Sequence, residues 1–377
     1  MIDKSIDAVA LTQELVRFNT INPPGNEQQC AEYLGSILET RGFEVSFHAF
    51  GPRRTSLVAR IGGNESHPPL CFTGHIDTVP LGYKDWTVDP FAAEIVDDKM
   101  FGRGTSDMKS GVAAFVAAVT DIAPTLAKGS GVVLIITAGE ETGCEGAVHL
   151  AGLENVLGAA GAIVVAEPTS NYPMVGHKGA LWMKAYTDGV TAHGSMPELG
   201  VNAVYKAARA VSKLEYFDFN VPRHEVMGGA TLNVGTVQGG ININSVPDHA
   251  EIGIDVRTVP GQKNTDVGAH LSAYMGEEVT MEAVVDVEGV WTSPADAWVQ
   301  EVFGLMETVL GEPITIRAAS YFSDASALKP AYGGVPTIIL GPGEASMAHQ
   351  TDEYCFVSRI EQAVGIYRTL AENWSTQ

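Results

Sequence analysis

Several short stretches of the chain carry side chains that could bind a metal ion or move a proton. In CFTGHIDTVP, residues 71–80, His75 and Asp77 interrupt what otherwise reads as an apolar strand. Residues two apart on a strand point to the same side, so both polar groups aim at one spot. A buried imidazole beside a carboxylate costs free energy unless it is partnered. The partner is either a neighbouring strand or a metal, with Asp77 steering the ring of a ligand His75. The pair alone leaves both readings open.

Asp107 stands in GRGTSDMKSG, at a glycine-rich turn leading into a helix. A helix N-cap is the ordinary role for such an Asp, and the GxGxxD spacing departs from the dinucleotide-binding pattern. ITAGEETGCEG places Glu140 and Glu141 side by side at the end of a strongly apolar strand. Two carboxylates there repel each other unless a cation lies between them or one takes up a proton. VVAEPTS ends another apolar run with Glu167, and GEASMAHQTDEY carries His349 after a Gly-Pro-Gly turn.

All of these groups fall at the carboxyl ends of expected parallel strands or in adjoining loops, where open α/β sheets place their sites. His75, His349, Asp107, Glu141 and Glu167 form a natural ligand set for two zinc-like ions. One carboxylate bridges, and each ion keeps a terminal carboxylate, a histidine and a position for water. Two divalent cations bring four positive charges, of which Asp107, Glu141 and Glu167 offset three. Glu140 is then free to take a proton from water, which is the logic of two-metal hydrolysis.

The elements that must hold these residues read as follows. From residue 1 to about 176, helical patterns (SIDAVALTQELVRF, NEQQCAEYLGSILETRGF, SGVAAFVAAVTDIA) alternate with strands (SLVARI, PLCFTGHIDTV, GVVLIITAG, GAIVVAEP). Continuous Val/Ile runs predict strands buried on both faces, hence a mostly parallel sheet flanked by helices. From 177 to 290, ALWMKAYTDG, ATLNVGTVQGG and AEIGIDVRTV alternate apolar and polar residues, as half-exposed strands do. Helices are expected over GVNAVYKAARAVSKL, with Val201, Val204, Ala208 and Val211 on its apolar face, and over NTDVGAHLSAYM. After Trp291 the helix ADAWVQEVFGLMETVLG and the strand VPTIILG return to the first texture. The architecture predicted is an α/β catalytic domain over 1–176 and 291–377, with a smaller α+β domain, 177–290, inserted into it.

Composition excludes other classes. The chain has 377 residues, 45% hydrophobic and 18% charged, with a net charge of −22, and its Lys and Arg are scattered. Contact with nucleic acid phosphates or anionic lipid is therefore not expected. Charges at Asp3, Lys4, Asp7 and Glu14 interrupt any signal-peptide core. The longest apolar runs fall short of the ~18 residues that span a bilayer. Cys30, Cys71, Cys144 and Cys355 form no CxxC pair, and reduced thiols fit a cytoplasmic enzyme.

The motifs GHIDTVP, GRGTSDMKSG, GEETG, AEPT, AHGSMPELGVNA, NSVPD, DVRTVPG and AHQTDEY occur in this order along nearly the whole chain. In this the sequence resembles the metallopeptidase family of acetylornithine deacetylase, succinyl-diaminopimelate desuccinylase, aminoacylase and the glutamate-releasing carboxypeptidases. The resemblance implies two zinc ions, replaceable by cobalt or manganese. It makes Asp107 the bridge, with His75 and Glu167 at one ion and Glu141 and His349 at the other. It also implies that Asp77 orients a ligand, that Glu140 is the general acid/base, and that the inserted domain is a lid that forms a homodimer. Arg257, Asn244 and the turn Gly341-Pro342-Gly343 would hold the carboxylate of an N-acyl amino acid or short peptide. Read from the residues alone, Arg257 pairs with Asp255 as readily. His193, in TAHGSMPELG, reads as a locally bonded loop histidine. The resemblance instead sends it across the dimer to the developing oxyanion in the partner's site. Gly194 stands where Ser is frequent in the family, a change expected to be mild. A dipeptidase, carboxypeptidase or aminopeptidase of the same two-metal type is the alternative activity, although Glu167 disfavours an aminopeptidase, where Asp is more frequent. A non-catalytic metal- or amino-acid-binding protein is the remote alternative. The acyl group and the amine stay open.

Overall fold

The computed structural model describes residues 5–63 and 67–376. The chain forms two compact units, one of Met1–Gly176, Trp291–Arg317 and Ser323–Gln377, the other of His177–Val290 and Ala318–Phe322.

In the first unit a six-stranded sheet runs in the order Glu44–Gly51, Arg54–Ile61, Val132–Thr137, Leu70–His75, Ala162–Val165, Thr337–Ile339. The last four of these are mutually parallel. Leu70–His75, Val132–Thr137 and Ala162–Val165 are buried at every residue, as their unbroken apolar runs require. Phe72 shows why: it packs against Phe115 of the helix Ser110–Asp121 at 6.0 Å and Tyr367 of the helix Val357–Ser375 at 5.5 Å. Two features differ from the expected sheet. Glu44–Gly51, not read as a strand, forms an antiparallel hairpin with Arg54–Ile61, which in turn runs antiparallel to Val132–Thr137. The long terminal helix Val357–Ser375 was also not expected. It buries Ile360, Ala363, Ile366, Tyr367, Leu370 and Trp374 on one side. A small three-stranded sheet joins Tyr354–Phe356 to Lys99–Phe101 and Glu94–Val96, tying the loop after His349 to the one before Asp107.

The second unit is an antiparallel sheet in the order Thr231–Gly239, His249–Thr258, Gly179–Asp188, Thr280–Val287. Leu181, Met183, Ala185, Ile252, Ile254 and Val256 alternate onto one face and pack on the helices Ala203–Leu214 and Asn264–Met275. The first helix buries Ala203, Ala207, Ala210 and Leu214, while Val201 precedes it and Ala208 is exposed. The expected apolar face is thus rotated. Small alanines let the helix approach the sheet closely, and the larger valines sit at its flank. Ala318–Phe322 belongs with this unit because Ala319 bridges His177 and Phe322 packs on Trp182. Among the described residues no helix is long and apolar enough to cross a membrane.

Candidate metal centre

The parallel strands Val132–Thr137, Leu70–His75 and Ala162–Val165 lie side by side and end together. His75 is the last residue of its strand, and Glu140, Glu141 and Glu167 follow theirs within a few residues. The His75 Nε2 lies 3.2 Å from Asp107 Oδ1, 3.7 Å from Glu167 Oε1 and 3.9 Å from Glu140 Oε2. The His349 Nε2 lies 3.1 Å from Glu141 Oε2 and 3.4 Å from Asp107 Oδ2. Asp107 therefore presents one oxygen to each histidine. Ligand atoms of His75, Asp107 and Glu141, and again of His75, Glu140 and Glu167, all lie within 4.8 Å of one another.

Asp107 does not cap the following helix. Its backbone is extended (φ −120°, ψ 94°) within an irregular turn, and the helix begins at Ser110. Asp77 does more than steer a ring. The His75 Nδ1 is 3.0 Å from the Asp77 carbonyl and 3.5 Å from its Oδ1. The Asp77 carboxylate accepts the backbone N–H groups of Glu140 (3.1 Å) and Glu141 (3.2 Å), so it holds the turn that carries both acids.

Electrostatics make this cluster costly as protein alone. Burial, with Glu167 and Glu141 nearby, raises Glu140 well above the usual carboxylate range. Burial and Asp107 do the same to Glu167, and Glu141 is raised as well. Burial works against a charge on His75, yet the surrounding Asp107, Asp77, Glu140 and Glu167 outweigh it and raise its pKa well above the usual value. Hydrogen bonds to Asp107 and Glu141 push His349 up to about 10. The Glu141 Oε1 is buried without a hydrogen-bond partner. Nitrogen and carboxylate donors that converge, repel and leave an oxygen unbonded fit divalent cations.

The profile of Peptidase family M20/M25/M40 matches residues 71–373. The chain belongs to this family. It is therefore a hydrolase acting on amide bonds, with a metal site as a candidate. A probable succinyl-diaminopimelate desuccinylase of Staphylococcus epidermidis is 30% identical, over 96% of each chain. An acetylornithine deacetylase of Proteus mirabilis is 30% identical, over 90% of this chain and 88% of that one. The M20 family metallo-carboxypeptidase Sso-CP2 of Sulfolobus solfataricus superimposes with a TM-score of 0.82 at 19% identity, covering 99% of this chain and 100% of that one. That likeness shows a shared fold.

The other residues expected at a family site have local partners. Arg257 makes a two-pronged ion pair with Asp255, Nε to Oδ1 at 2.9 Å and Nη2 to Oδ2 at 3.2 Å, the pairing that the residues alone allowed. His193 is exposed, and its Nδ1 accepts the Ser195 backbone N–H (3.2 Å) beside the Ser195 hydroxyl (2.7 Å). That leaves the ring proton on Nε2, pointing a donor away from its own loop. The Gly194 N–H donates to the Asn244 carbonyl at 2.7 Å, and a Cβ on Gly194 would stand 2.9 Å from the Asn244 backbone. The change from Ser is thus not mild here, because the glycine lets the His193 and Asn244 loops lie against each other. Gly341 and Gly343 are buried in the first unit. A Cβ would lie 2.1 Å from the Ala166 carbonyl and 2.0 Å from the Ser106 carbonyl respectively. Their small size serves close packing on the segments that carry Glu167 and Asp107.

Three buried polar residues were not singled out from the sequence. Asn22 donates to Asp77 (2.9 Å) and to Thr142 (2.9 Å). Asp324 accepts from Thr137, and burial raises its pKa to about 6. Glu353 receives backbone N–H groups of the Asp107 turn. The run HQTDEY, which places Glu353 only four residues past His349, was the available signal for Glu353; Asn22 and Asp324 lie in loops with no pattern to mark them.

Proposed function

We propose that the protein is a two-metal amidohydrolase that releases an amino acid from an N-acyl amino acid, of the deacetylase or desuccinylase kind. The observation that carries this reading is the placement of Asp107, one oxygen toward His75 and the other toward His349. Asp107 would be shared between two ions, with His75 and Glu167 holding one and Glu141 and His349 the other. Zinc is the ion proposed, since imidazole and carboxylate ligands suit it, with cobalt or manganese as substitutes. When bound, the ions supply Lewis acidity and lower the pKa of water at the site.

Glu140 takes a proton from the attacking water and returns it to the leaving nitrogen. Distance does not separate it from the ligand Glu167, as both lie close to His75. Burial, with Glu167 and Glu141 nearby, raises its pKa, the direction that suits a group which takes up and returns a proton. Asp77 keeps Glu140 and Glu141 in place through their amide N–H groups. His193 Nε2–H donates to the oxyanion in the partner subunit's site, an interaction gained mainly in the transition state. Arg257 and Asn244 are assigned to the substrate carboxylate by family membership, as are Gly341 and Gly343.

A homodimer through the second unit is supported by its exposed apolar side chains, among them Ile241, Ile243, Tyr205, Leu199 and Val237. All four cysteines are buried and unpaired, which fits a reducing compartment such as the cytoplasm. Zinc-loaded protein should cleave N-succinyl-diaminopimelate or N-acetylornithine faster than dipeptides by kcat/KM, and a chelator should abolish the activity. Faster turnover of dipeptides would move the assignment to a dipeptidase. Turnover unaffected by chelation would remove the metal reading.

A further inference from the structure

Glu353 is fully buried, and its carboxylate collects four donors from one stretch of chain. Oε1 accepts the N–H groups of Ser106 (2.8 Å) and Asp107 (3.0 Å). Oε2 accepts the Gly104 N–H (3.0 Å) and the Arg103 guanidinium (2.7 Å). Arg103 is itself 1% exposed and donates onward to the carbonyls of Gln350 (3.2 Å) and Pro80 (3.1 Å). The Gly102 N–H returns to the Glu353 carbonyl at 2.9 Å, and the Ser106 hydroxyl donates to the Tyr354 carbonyl at 2.7 Å.

These bonds join the Asp107 turn to the segment that carries His349, four residues before Glu353. We infer that Glu353 is the positioning residue that sets the carboxylate of Asp107 against the imidazole of His349. The Lys109 N–H donates to the Gly104 carbonyl at 2.9 Å across the turn, but at Asp107 itself the backbone is extended and leaves the regular helical geometry. An ionised carboxylate with four donors supplies that constraint, since buried N–H groups without acceptors are costly. The same oxygens fix the Asp107 backbone directly and reach the His349 loop through Arg103 and Gln350. A merely structural role would stabilise the fold without acting on metal affinity; a positioning role acts on metal affinity.

This inference rests on the metal reading above, and its test separates the two. Metal-free wild type and Glu353→Gln are titrated with zinc against a chromophoric chelator, and the thermal melt of each metal-free protein is recorded. In the Gln variant an amide NH₂ faces N–H donors, and Arg103 loses its counter-charge. Zinc affinity should weaken by about 10- to 100-fold, the usual effect of losing a partner that orients ligands. Glu353→Asp keeps the charge but withdraws it, and should show a smaller loss in the same titration. It also decides the question if the Gln variant does not fold. Wild-type zinc affinity in either folded variant, even with a lowered melting temperature, overturns the positioning role. A wild-type chain that binds no zinc overturns the metal reading instead.

Discussion

The strand ends of the first unit and the His193 loop of the second answer to different physics. At the strand ends, His75, Asp107, Glu140, Glu141 and Glu167 are crowded together with their pKa values displaced. Protein contacts leave the group unsatisfied, so the residues themselves call for cations. Around His193 and Arg257 the charged and ring groups have local neighbours: Ser195 for the His193 Nδ1, Asp255 for the guanidinium. The functional reading there leans on family membership. Burial without satisfaction points to function more directly than residue type does.

The largest effect expected is from Asp107→Ala, which removes the group facing both histidines. Activity should fall to background, and zinc titration should show neither ion bound at wild-type affinity. Retention of one tight ion would mean that the carboxylate serves a single site. Glu140→Gln should separate binding from chemistry in the same cluster. Zinc content should stay at the wild-type level while kcat drops by ~10²-fold or more, as general-base removal does. Loss of zinc in Glu140→Gln, with retention in Glu141→Gln, would exchange their roles.

Much of the candidate metal centre was legible in the sequence, because apolar runs such as VVLIIT and AIVV mark where buried strands stop, and the next polar residues fall at their ends. His75, Glu140, Glu141 and Glu167 follow from that reading. Glu353 and Asp324 did not, because an acid in a loop looks solvated until a distant segment buries it. The partners of Glu353 lie about 250 positions away along the chain. The helix Ala203–Leu214 was found with its face misassigned, since hydrophobic periodicity ranks valine above alanine whereas close helix–sheet packing favours the smaller residue. The strand Glu44–Gly51 escaped notice because its residues are only partly buried or exposed, so no apolar run announces it.

In the second unit Arg257 shows whether a side chain with a local partner can also hold a ligand. If its fork is shared between Asp255 and a substrate carboxylate, Arg257→Lys should raise KM about 10-fold for a free acid, for the loss of one charge-assisted hydrogen bond of ~1.5 kcal/mol. It should leave the slower cleavage of the amidated substrate unchanged. An equal rise in KM for acid and amide would confine Arg257 to its pair with Asp255.

The last effect falls on stability rather than on turnover, and it concerns two histidines that are both buried yet displaced in opposite directions. His75, among acids, is raised; His177 is lowered to about 4 by burial, with its Nδ1 on the Lys178 carbonyl at 2.8 Å and its Nε2 without a hydrogen-bond partner. A folded-state pKa below the unfolded value of 6.5 means that the unfolded chain binds the proton more readily. The stabilising contribution is complete above pH 6.5 and is lost as pH falls toward 4. It amounts to about 3 kcal/mol over that window. His177→Asn keeps a donor for the Lys178 carbonyl and removes the titration. Urea unfolding of both metal-free proteins should give a stability difference, wild type minus variant, that is constant above pH 6.5 and shrinks or changes sign on acidification. A difference that stays flat from neutral to acidic pH would show that His177 takes its proton in the folded state as easily as in the unfolded one.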